Sequence, residues 1–326
     1  MGRHMSGKIL VTGGAGYVGS HACKLLHKAG YEPISYDNLS TGYASAVKWG
    51  PLIEANLQNT DALINALKQY QPEAIIHFAA SAYVGESVMN PLKYYQNNVG
   101  STLSLLKAMS ITGQRKIVFS STCATYGTPE LSVISEACPQ LPINPYGQSK
   151  LMIEKILSDM AAANLIDQIS LRYFNAAGAD SDGEIGERHD PETHLIPLAI
   201  RSAMGGPPLK VFGADFPTPD GTAVRDFVHV EDLGRAHILA LERLLSGRYS
   251  DFINLGTGQG TSVREIINTL IKLGIDVKSV DAPRRMGDPP YLVADSAKAK
   301  LVLNWTPVYK IEKLLSTAIS WHQQHG

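Results

Sequence analysis

Short apolar runs alternate with amphipathic stretches along about the first 175 residues of the chain. The apolar runs predict strands and read KILVT, EPISYD, PLIEAN, AIIHFAA, KIVFSST and ISLRYFN. Between them, apolar residues recur at helical spacing in VGSHACKLLHKAG, TDALINALKQY and MNPLKYYQNNVGSTLSLLKAM. Because such alternation is typical of βαβ units, we predict an α/β protein built on a Rossmann-type, doubly wound parallel sheet.

The regular pattern ends after Asn175. Two segments rich in Gly, Pro and Asp, AAGADSDGEIGERHDPETH and FGADFPTPDGTAVRD, predict long loops of the kind that carries function. Strand and helix patterns return in RDFVHVEDLGRAHILALERLL, DFINLG and SVREIINTLIKLG. We therefore predict two interleaved domains: a dinucleotide-binding domain of residues 6–175 and about 229–256, and a smaller C-terminal α/β substrate domain of residues 176–228 and 257–326.

Composition and charge narrow the range of partners. The net charge of −1 gives no electrostatic reason to expect nucleic acid or a membrane surface, and no apolar run reaches the ~18 residues of a membrane span. Cys23, Cys123 and Cys138 form no CxxC pair, so we predict no disulfide framework, no thiolate zinc site and a reducing cytoplasm. Residues 1–5 are interpreted as a tag remnant, with no secretory signal.

A glycine loop follows the first predicted strand. In KILVTGGAGYVGSHACKLL, Gly13 allows a tight turn, Gly16 lets the backbone approach a diphosphate, and Gly19 lets helix and strand pack closely. A turn without any ligand is the plainer interpretation. However, Asp37 ends the next strand eighteen residues after Gly19, where an acid binds the adenosine ribose. With no Arg or Lys between Asp37 and Lys48, the pattern favours NAD over NADP.

A tyrosine and a lysine lie four residues apart in NPYGQSKLMIEKILSDM. Pro145 marks the helix start, and Tyr146 and Lys150 share a face with apolar Ile153 and Leu157, so both are expected to face inward. Such a pair is usually incidental. Beside a dinucleotide site, an ammonium is expected to lower the pKa of Tyr146 towards a value that suits proton abstraction from a hydroxyl. The same lysine can hold the nicotinamide ribose.

The motifs TGGAGYVG, DN, HFAA, FSST with YG, PYGQSK and RYFN together resemble the extended short-chain dehydrogenase/reductase family. Within it, GTAVRDFVHVEDL, NLGTG and RRMGDPPYLVAD resemble the UDP-glucose (UDP-galactose) 4-epimerase branch, in order along nearly the whole chain. The resemblance implies an NAD-dependent isomerase that interconverts UDP-glucose and UDP-galactose through a 4-keto intermediate, with UDP-GlcNAc and UDP-GalNAc as further candidate substrates. It also implies a cytoplasmic homodimer formed through the helices containing YYQNNVGSTLSLL and LMIEKILSDM.

The loop SSTCATYG separates the branches of this family. By resemblance, Thr122 is the catalytic hydroxyl at the sugar O4, although a strand-end hydroxyl bonded to its own backbone is the plainer interpretation. Cys123 and Ala124 stand where the dehydratases and decarboxylases carry acids, so elimination lacks a local catalyst. Thr125 replaces a more usual valine, without functional interpretation. A pentose 4-epimerase, a dehydratase or a decarboxylase stays an alternative, and a non-catalytic NAD-sensing protein a remote one.

The resemblance implies three sets of site residues. The catalytic set is Thr122, Tyr146 and Lys150. The cofactor-binding set is Gly13, Gly16, Tyr17, Val18, Gly19, Asp37, Asn38, Asn56, Leu57, Phe78, Ala79, Ala80, Asn97, Ser120, Tyr146, Lys150 and Tyr173. The substrate-binding set is Thr122, Tyr146, Asn175, His194, Leu195, Phe212, Arg225, Arg285, Asp288 and Leu292. The guanidinium groups of Arg225 and Arg285 suit the diphosphate.

Some positions depart from the family pattern. Asn56 replaces an Asp that contacts adenine, Ala82 replaces a Lys near the cofactor, and Leu292 has a size between the residues that restrict or admit N-acetylated sugars. No metal site is predicted, because His189 and His194 lie five residues apart with Pro191 between them, which fits neither helix nor strand periodicity. His77, within a buried strand, is predicted to be a hydrogen-bonded core histidine.

Overall fold

The structure, a computed structural model of the chain, describes residues 7–285 and 288–325, so the predicted tag remnant lies outside the described residues. The strands are β1 (Lys8–Thr12), β2 (Glu32–Asp37), β3 (Leu52–Glu54), β4 (Ala74–His77), β5 (Lys116–Thr122), β6 (Val133–Ile134), β7 (Asp167–Tyr173), β8 (Asn175–Ala177), β9 (Leu209–Phe212), β10 (Val224–Arg225), β11 (Phe227–His229), β12 (Ser250–Leu255), β13 (Thr261–Ser262), β14 (Ser279–Ala282) and β15 (Tyr291–Ala294). The α-helices are α1 (Tyr17–Ala29), α2 (Thr60–Tyr70), α3 (Val84–Met89), α4 (Pro91–Tyr94), α5 (Ser101–Thr112), α6 (Pro145–Ala162), α7 (Leu195–Ala203), α8 (Val230–Leu245), α9 (Val263–Lys272), α10 (Ala297–Leu303) and α11 (Ile311–His325).

Seven parallel strands form the central sheet, in the order β12-β7-β5-β4-β1-β2-β3. The chain proceeds outward from β1 in both directions, which confirms the predicted doubly wound Rossmann-type sheet. Thr12 pairs with both Tyr36 and His77, so the carboxyl ends of β1, β2 and β4 meet at one edge. The reversal of strand order between β1 and β4 opens the crevice where such sheets bind ligands.

Both faces of this sheet are covered. Along β1, Ile9 and Val11 pack into one core with residues of α1 and α8, whereas Leu10 packs into a second core with residues of α2, α5 and α6. Parallel strands buried on both faces read as continuous apolar runs, which explains KILVT and AIIHFAA. The helix α8 packs on α1, and β12 pairs with β7 at the edge of the central sheet.

A third core lies outside the central sheet. It contains apolar side chains of α7, α9 and α11 with those of β9, including Ile200, Ile266, Leu315 and Val211. Beside it, β13, β10, β15 and β6 form a four-stranded sheet. The predicted strand ISLRYFN is two strands: β7 stays in the central sheet, and after Phe174 the chain turns to pair β8 with β11. This break carries the chain from the central sheet towards the third core.

Candidate active site

The glycine loop packs tightly between β1 and α1. Gly13 has a φ of +74°, and a Cβ there would lie 2.7 Å from the Ala79 nitrogen. A Cβ on Gly19 would lie 2.1 Å from the Gly13 carbonyl oxygen, so a larger side chain would separate helix from strand. Gly16 begins α1 without a side-chain cap, which leaves the helix N-terminus as a site suited to a phosphate. The backbone therefore has the features predicted for this loop.

Asp37 lies against the same loop. Its carboxylate accepts hydrogen bonds from the Ala15 nitrogen at 3.0 Å and the Leu39 nitrogen at 2.8 Å. Burial raises the pKa of Asp37, and these backbone hydrogen bonds oppose the increase. The carboxylate at the end of β2 is thus held beside the turn that follows β1, as its spacing predicts.

Thr122 and Tyr146 meet at the end of β5. The Thr122 hydroxyl accepts a hydrogen bond from the Ala124 nitrogen at 3.1 Å, as the plainer interpretation predicts. Its role at the sugar O4 stays a prediction. The expected low pKa of Tyr146 is wrong for the protein alone: burial raises the pKa strongly, the nearby Tyr173 adds to the increase, and the neighbouring Thr122 hydroxyl only partly opposes it.

Lys150 is buried one turn beyond Tyr146, as predicted, with 3% of the residue exposed. Its ammonium donates to the Ser120 carbonyl oxygen at 2.7 Å and lies 4.7 Å from the centre of the Phe119 ring. Burial lowers the pKa of Lys150 to about 7, and the charge of Glu154 opposes the decrease. The Ser120 hydroxyl in turn donates to the Tyr173 hydroxyl at 2.9 Å. Four predicted residues thus converge where β5 and β7 end.

Glu154 is a residue that the sequence reasoning missed. It lies one turn after Lys150 on α6, and its carboxylate forms a buried ion pair with Arg172 of β7, at 2.7 and 2.9 Å. It also accepts a hydrogen bond of 2.5 Å from Ser121, next to Thr122. This network ties α6, β5 and β7 together behind the reacting groups. Its sequence signal is a glutamate four residues after Lys150.

The carboxyl end of β4 contributes further candidates. Predicted core residue His77 is buried and pairs with the hydroxyls of Thr12 at 2.6 Å and Thr102 at 2.9 Å, which confirms it as a hydrogen-bonded core histidine. Phe78 is half-buried against the His237 ring, with centroids 4.5 Å apart. Ala79 and Ala80 follow it, both half-buried. These residues line the crevice edge beside the glycine loop.

The other cofactor candidates surround this edge. Asn97 is half-buried and donates to Ser81 at 3.1 Å, whereas its neighbour Asn98 is buried and bonds Ser149 at 3.0 Å. The Tyr17 hydroxyl donates to the Gly178 carbonyl oxygen at 2.6 Å. The remaining candidates differ in exposure: Val18 is half-buried, Asn38 and Asn56 are exposed, and Leu57 is buried in the core.

Substrate candidates pair with one another outside the central sheet, at β9 and β10. The Arg225 guanidinium donates to the Asp288 carboxylate at 2.5 Å and to the Pro289 carbonyl oxygen at 2.9 Å. The Arg285 guanidinium stacks on the Phe212 ring at 3.9 Å. The charges of Arg225 and Asp288 thus neutralise each other, and the ion pair holds the guanidinium in a defined orientation.

Two further substrate candidates lie near Thr122. Asn175 begins β8, and its amide donates to the Asp226 carbonyl oxygen at 3.1 Å. Leu292 of β15 packs on a small core that includes Cys123 and Phe174. The side of the loop SSTCATYG that faces β15 is therefore apolar.

The loop before α7 gathers four ionisable side chains, which we call the loop cluster: Glu187, His189, Glu192 and His194. The spacing argument against their convergence was wrong, because the segment forms neither helix nor strand and periodicity does not apply to it. Burial acts to lower the pKa of His189 and of His194, but the nearby Glu187 and Glu192 carboxylates raise the two pKa values to about 9 and about 10. The predicted substrate residue His194 thus belongs to a charged cluster, and Leu195 begins α7 directly after it.

Among the residues that the structure describes, no helix combines the length and the apolar character needed to cross a membrane.

Known proteins are similar to this chain over nearly its whole length. The model of the NAD dependent epimerase/dehydratase family matches residues 9–256. A UDP-glucose 4-epimerase of Rhizobium meliloti is 48% identical over 320 residues, which cover 98% of each chain. The crystal structure of a UDP-glucose 4-epimerase from Brucella ovis in complex with NAD has a TM-score of 0.94 at 51% identity, covering 96% of this chain and 98% of that one. An enzyme of the same name from Bifidobacterium longum, with NAD+ and UDP, has a TM-score of 0.93 at 35% identity, covering 98% of each chain.

Proposed function

This chain belongs to the NAD dependent epimerase/dehydratase family, and we propose that it is a UDP-glucose 4-epimerase, an isomerase that interconverts UDP-glucose and UDP-galactose. The C4 hydroxyl is oxidised to a ketone, and the ketone is then reduced from its opposite face. The observation that carries the proposal is the contact of α6 with the end of β5, where Lys150, one turn after Tyr146, donates to the Ser120 carbonyl oxygen, and where Cys123 and Ala124 instead of acids follow Thr122. Without a carboxylate at these two positions, reduction back to the alcohol is favoured over elimination.

The glycine loop and Asp37 fit NAD. A Cβ at Gly13 or Gly19 would collide with neighbouring backbone, so the turn and α1 pack closely only because both positions lack one. Asp37 is held where the ribose hydroxyls of the adenosine would lie. When bound, NAD supplies a positively charged nicotinamide ring that accepts and returns the hydride and favours the ionised form of a nearby tyrosine. Lys150 and Tyr173 are the residues that would hold the nicotinamide half.

Tyr146 and Thr122 handle the proton of the reacting hydroxyl. Tyr146 accepts it as the ketone forms and returns it as the alcohol is restored, while Thr122 holds the hydroxyl in hydrogen-bonding distance of Tyr146. Burial keeps Tyr146 protonated in the protein alone, so the base becomes available only with further positive charge nearby. We infer that proton transfer is thereby confined to the fully assembled complex.

Arg225 and Arg285 anchor the diphosphate of the substrate. The sugar ketone has to turn between the two reductions, so binding energy has to come from the part of the substrate that does not react. A guanidinium can bind phosphate oxygens in a bidentate manner, and Asp288 and Phe212 already orient the two groups. Leu195 and Asn175 complete the proposed UDP side, with Leu292 beside the sugar.

Proton NMR of the purified chain tests the proposal. UDP-galactose and, separately, UDP-GalNAc are added without any NAD, because a cofactor regenerated in each cycle is expected to stay bound. We expect UDP-glucose to form from UDP-galactose. The UDP-GalNAc arm tests whether Leu292, half-buried on the apolar side of the site, admits an N-acetyl group. Accumulation of a 4-keto-6-deoxy sugar, or no conversion of either substrate, contradicts the proposal.

We further propose that the enzyme is a cytoplasmic homodimer of two-domain chains divided as predicted from the sequence. Leu103 on α5 and Met152 on α6 are 50% and 37% exposed, on the two helices expected at the interface. The exposure of these two apolar side chains fits a second copy that covers them. The three cysteines are free and buried, which agrees with a reducing compartment. Analytical ultracentrifugation of a Met152→Glu variant, which should be monomeric, tests the interface.

A further inference from the structure

We propose that the loop cluster binds one Zn²⁺ ion, outside the groups that carry out epimerisation. The cluster combines two imidazole nitrogens with two carboxylates, a ligand set that zinc accepts in a tetrahedral arrangement. All four ligands come from one loop of eight residues, 187–194, that ends at the N-terminus of α7. This inference does not depend on the proposed sugar chemistry.

The distances between ligand atoms fit a single ion. The Nδ1 atom of His194 lies 3.0 Å from Glu187 and 2.9 Å from Glu192, and the Nδ1 atom of His189 lies 3.3 Å and 3.7 Å from the same two carboxylates. Tetrahedral zinc with bonds of about 2.0–2.2 Å requires ligand atoms roughly 3.3–3.6 Å apart. The observed separations bracket this range, so an ion can enter with small side-chain movements.

The surroundings orient the ligands. The side chains of Glu187 and Glu192 are only 5% and 2% exposed. The Glu192 carboxylate also accepts hydrogen bonds from the backbone nitrogens of Thr193 and His194. The Tyr17 and Tyr83 rings pack edge-on against His189. Contacts between metal-binding side chains and their neighbours fix the orientation of metal ligands in proteins. His194, with its side chain 46% exposed, leaves an entry path for the ion.

One buried atom lacks a partner of its own. The Nδ1 atom of His189 is buried without a hydrogen bond of acceptable geometry among the described residues, although it lies within ion-pair distance of both carboxylates. A nitrogen directed between two carboxylates rather than at one of them is suited to a shared ion.

A second cluster of acidic side chains differs from the loop cluster because its cationic partner is a lysine. Asp180, Asp182 and Glu184 also lie close together, but the Lys24 ammonium binds all three, at 2.7, 2.8 and 2.5 Å. The lysine ammonium has no lone pair to offer an ion, whereas each imidazole of the loop cluster becomes a metal ligand when it releases its proton, so no ion is expected at the second cluster. Asp182, with an exposed side chain, therefore provides a matched control.

Zinc binding to the full-length protein, first treated with a chelator, tests the proposal by calorimetry and elemental analysis. We expect about one Zn²⁺ per chain, affinity lowered roughly 10- to 100-fold or more in His189→Ala and in Glu192→Gln, and wild-type affinity in Asp182→Asn. Circular dichroism verifies that each variant is folded. Unchanged zinc affinity in a folded His189→Ala protein overturns the proposal.

Cobalt substitution provides a test that needs no variant. Tetrahedral Co²⁺ absorbs visible light far more strongly than octahedral Co²⁺, so the wild-type protein should develop an intense band that one equivalent of Zn²⁺ abolishes. A weak, octahedral-type spectrum contradicts the site. Because neither measurement involves UDP-sugar turnover, its failure leaves the epimerase proposal untouched, and the failure of epimerisation leaves the metal site untouched.

Discussion

The Lys150 ammonium donates a 2.7 Å hydrogen bond to the Ser120 carbonyl oxygen. This contact joins α6 to the end of β5, and both Tyr146 and Thr122 lie within four residues of it along the chain. The position of the cation and that of the proton-transfer pair are therefore set by the same junction. Because the ammonium is buried, its charged form destabilises the folded chain, and the size of this destabilisation depends on pH.

Replacing Lys150 with Met should remove the part of the pH dependence of folding stability that comes from the Lys150 ammonium. Burial lowers the pKa of Lys150 from 10.5 to about 7 in the folded chain, so between these values the unfolded chain binds more protons. The free energy of unfolding should thus rise with pH in this window, by about 1 kcal/mol per pH unit. Urea unfolding between pH 7 and 9 should show wild type gaining stability relative to Lys150→Met. Below pH 7 the difference in the free energy of unfolding between the two proteins should become constant. If the two free energies run parallel over the whole pH range, the lowered pKa of Lys150 is refuted.

Tyr146→Phe should lower turnover by about 10²- to 10⁴-fold, because the variant keeps the ring and loses the proton acceptor. Affinity for UDP-sugar should stay close to that of wild type, since the anchor lies at Arg225 and Arg285. NMR turnover and calorimetry with UDP-glucose measure the two quantities. Tyr70→Phe on α2, away from β5, is the control. Wild-type turnover in Tyr146→Phe would remove Tyr146 from the base role.

Gly19→Ala should abolish retention of NAD. The new Cβ would lie 2.1 Å from the Gly13 carbonyl oxygen, so α1 would have to move away from the turn that approaches the diphosphate. Cofactor absorbance of the purified protein, with thermal unfolding beside it, measures the effect.

The matched control for this change is Gly85→Ala on α3, where a Cβ meets nothing within 4 Å. It should keep wild-type cofactor content and melt no lower, since alanine favours a helix over glycine. If Gly19→Ala retains as much NAD as Gly85→Ala does, the packing argument for the glycine loop fails.

Arg225→Met should weaken UDP binding by roughly 10- to 100-fold, the loss of a charge-assisted hydrogen bond worth about 1.5–3 kcal/mol. Arg264→Met, which removes an exposed arginine paired with Asp281 at 3.2 Å, should bind UDP as wild type does. Calorimetry with UDP alone separates this effect from turnover. Equal affinities in the two variants would mean that Arg225 serves only its ion pair with Asp288.

Several structural features could be predicted because they depend on neighbouring residues. The strand β2 and the helix α2 lie where the apolar pattern predicts them, and the face shared by Tyr146 and Lys150 follows from the helical repeat. The ion pair of Glu154 and Arg172 was not predicted, because it joins α6 to a strand whose approach no local pattern reveals. The hydrogen bond from Asn98 to Ser149 of α6 was not predicted for the same reason.

The sequence alone therefore determined the doubly wound sheet, the glycine loop with Asp37, and the absence of acids at Cys123 and Ala124, since each is a matter of periodicity, spacing or residue type. Tertiary structure decided the protonation of Tyr146, the pairing of Arg225 with Asp288, and the convergence of the loop cluster. The first depends on desolvation, the second on contact between two separate segments, and the third on a loop without any repeat. Burial and distance between such segments are properties of the folded chain only.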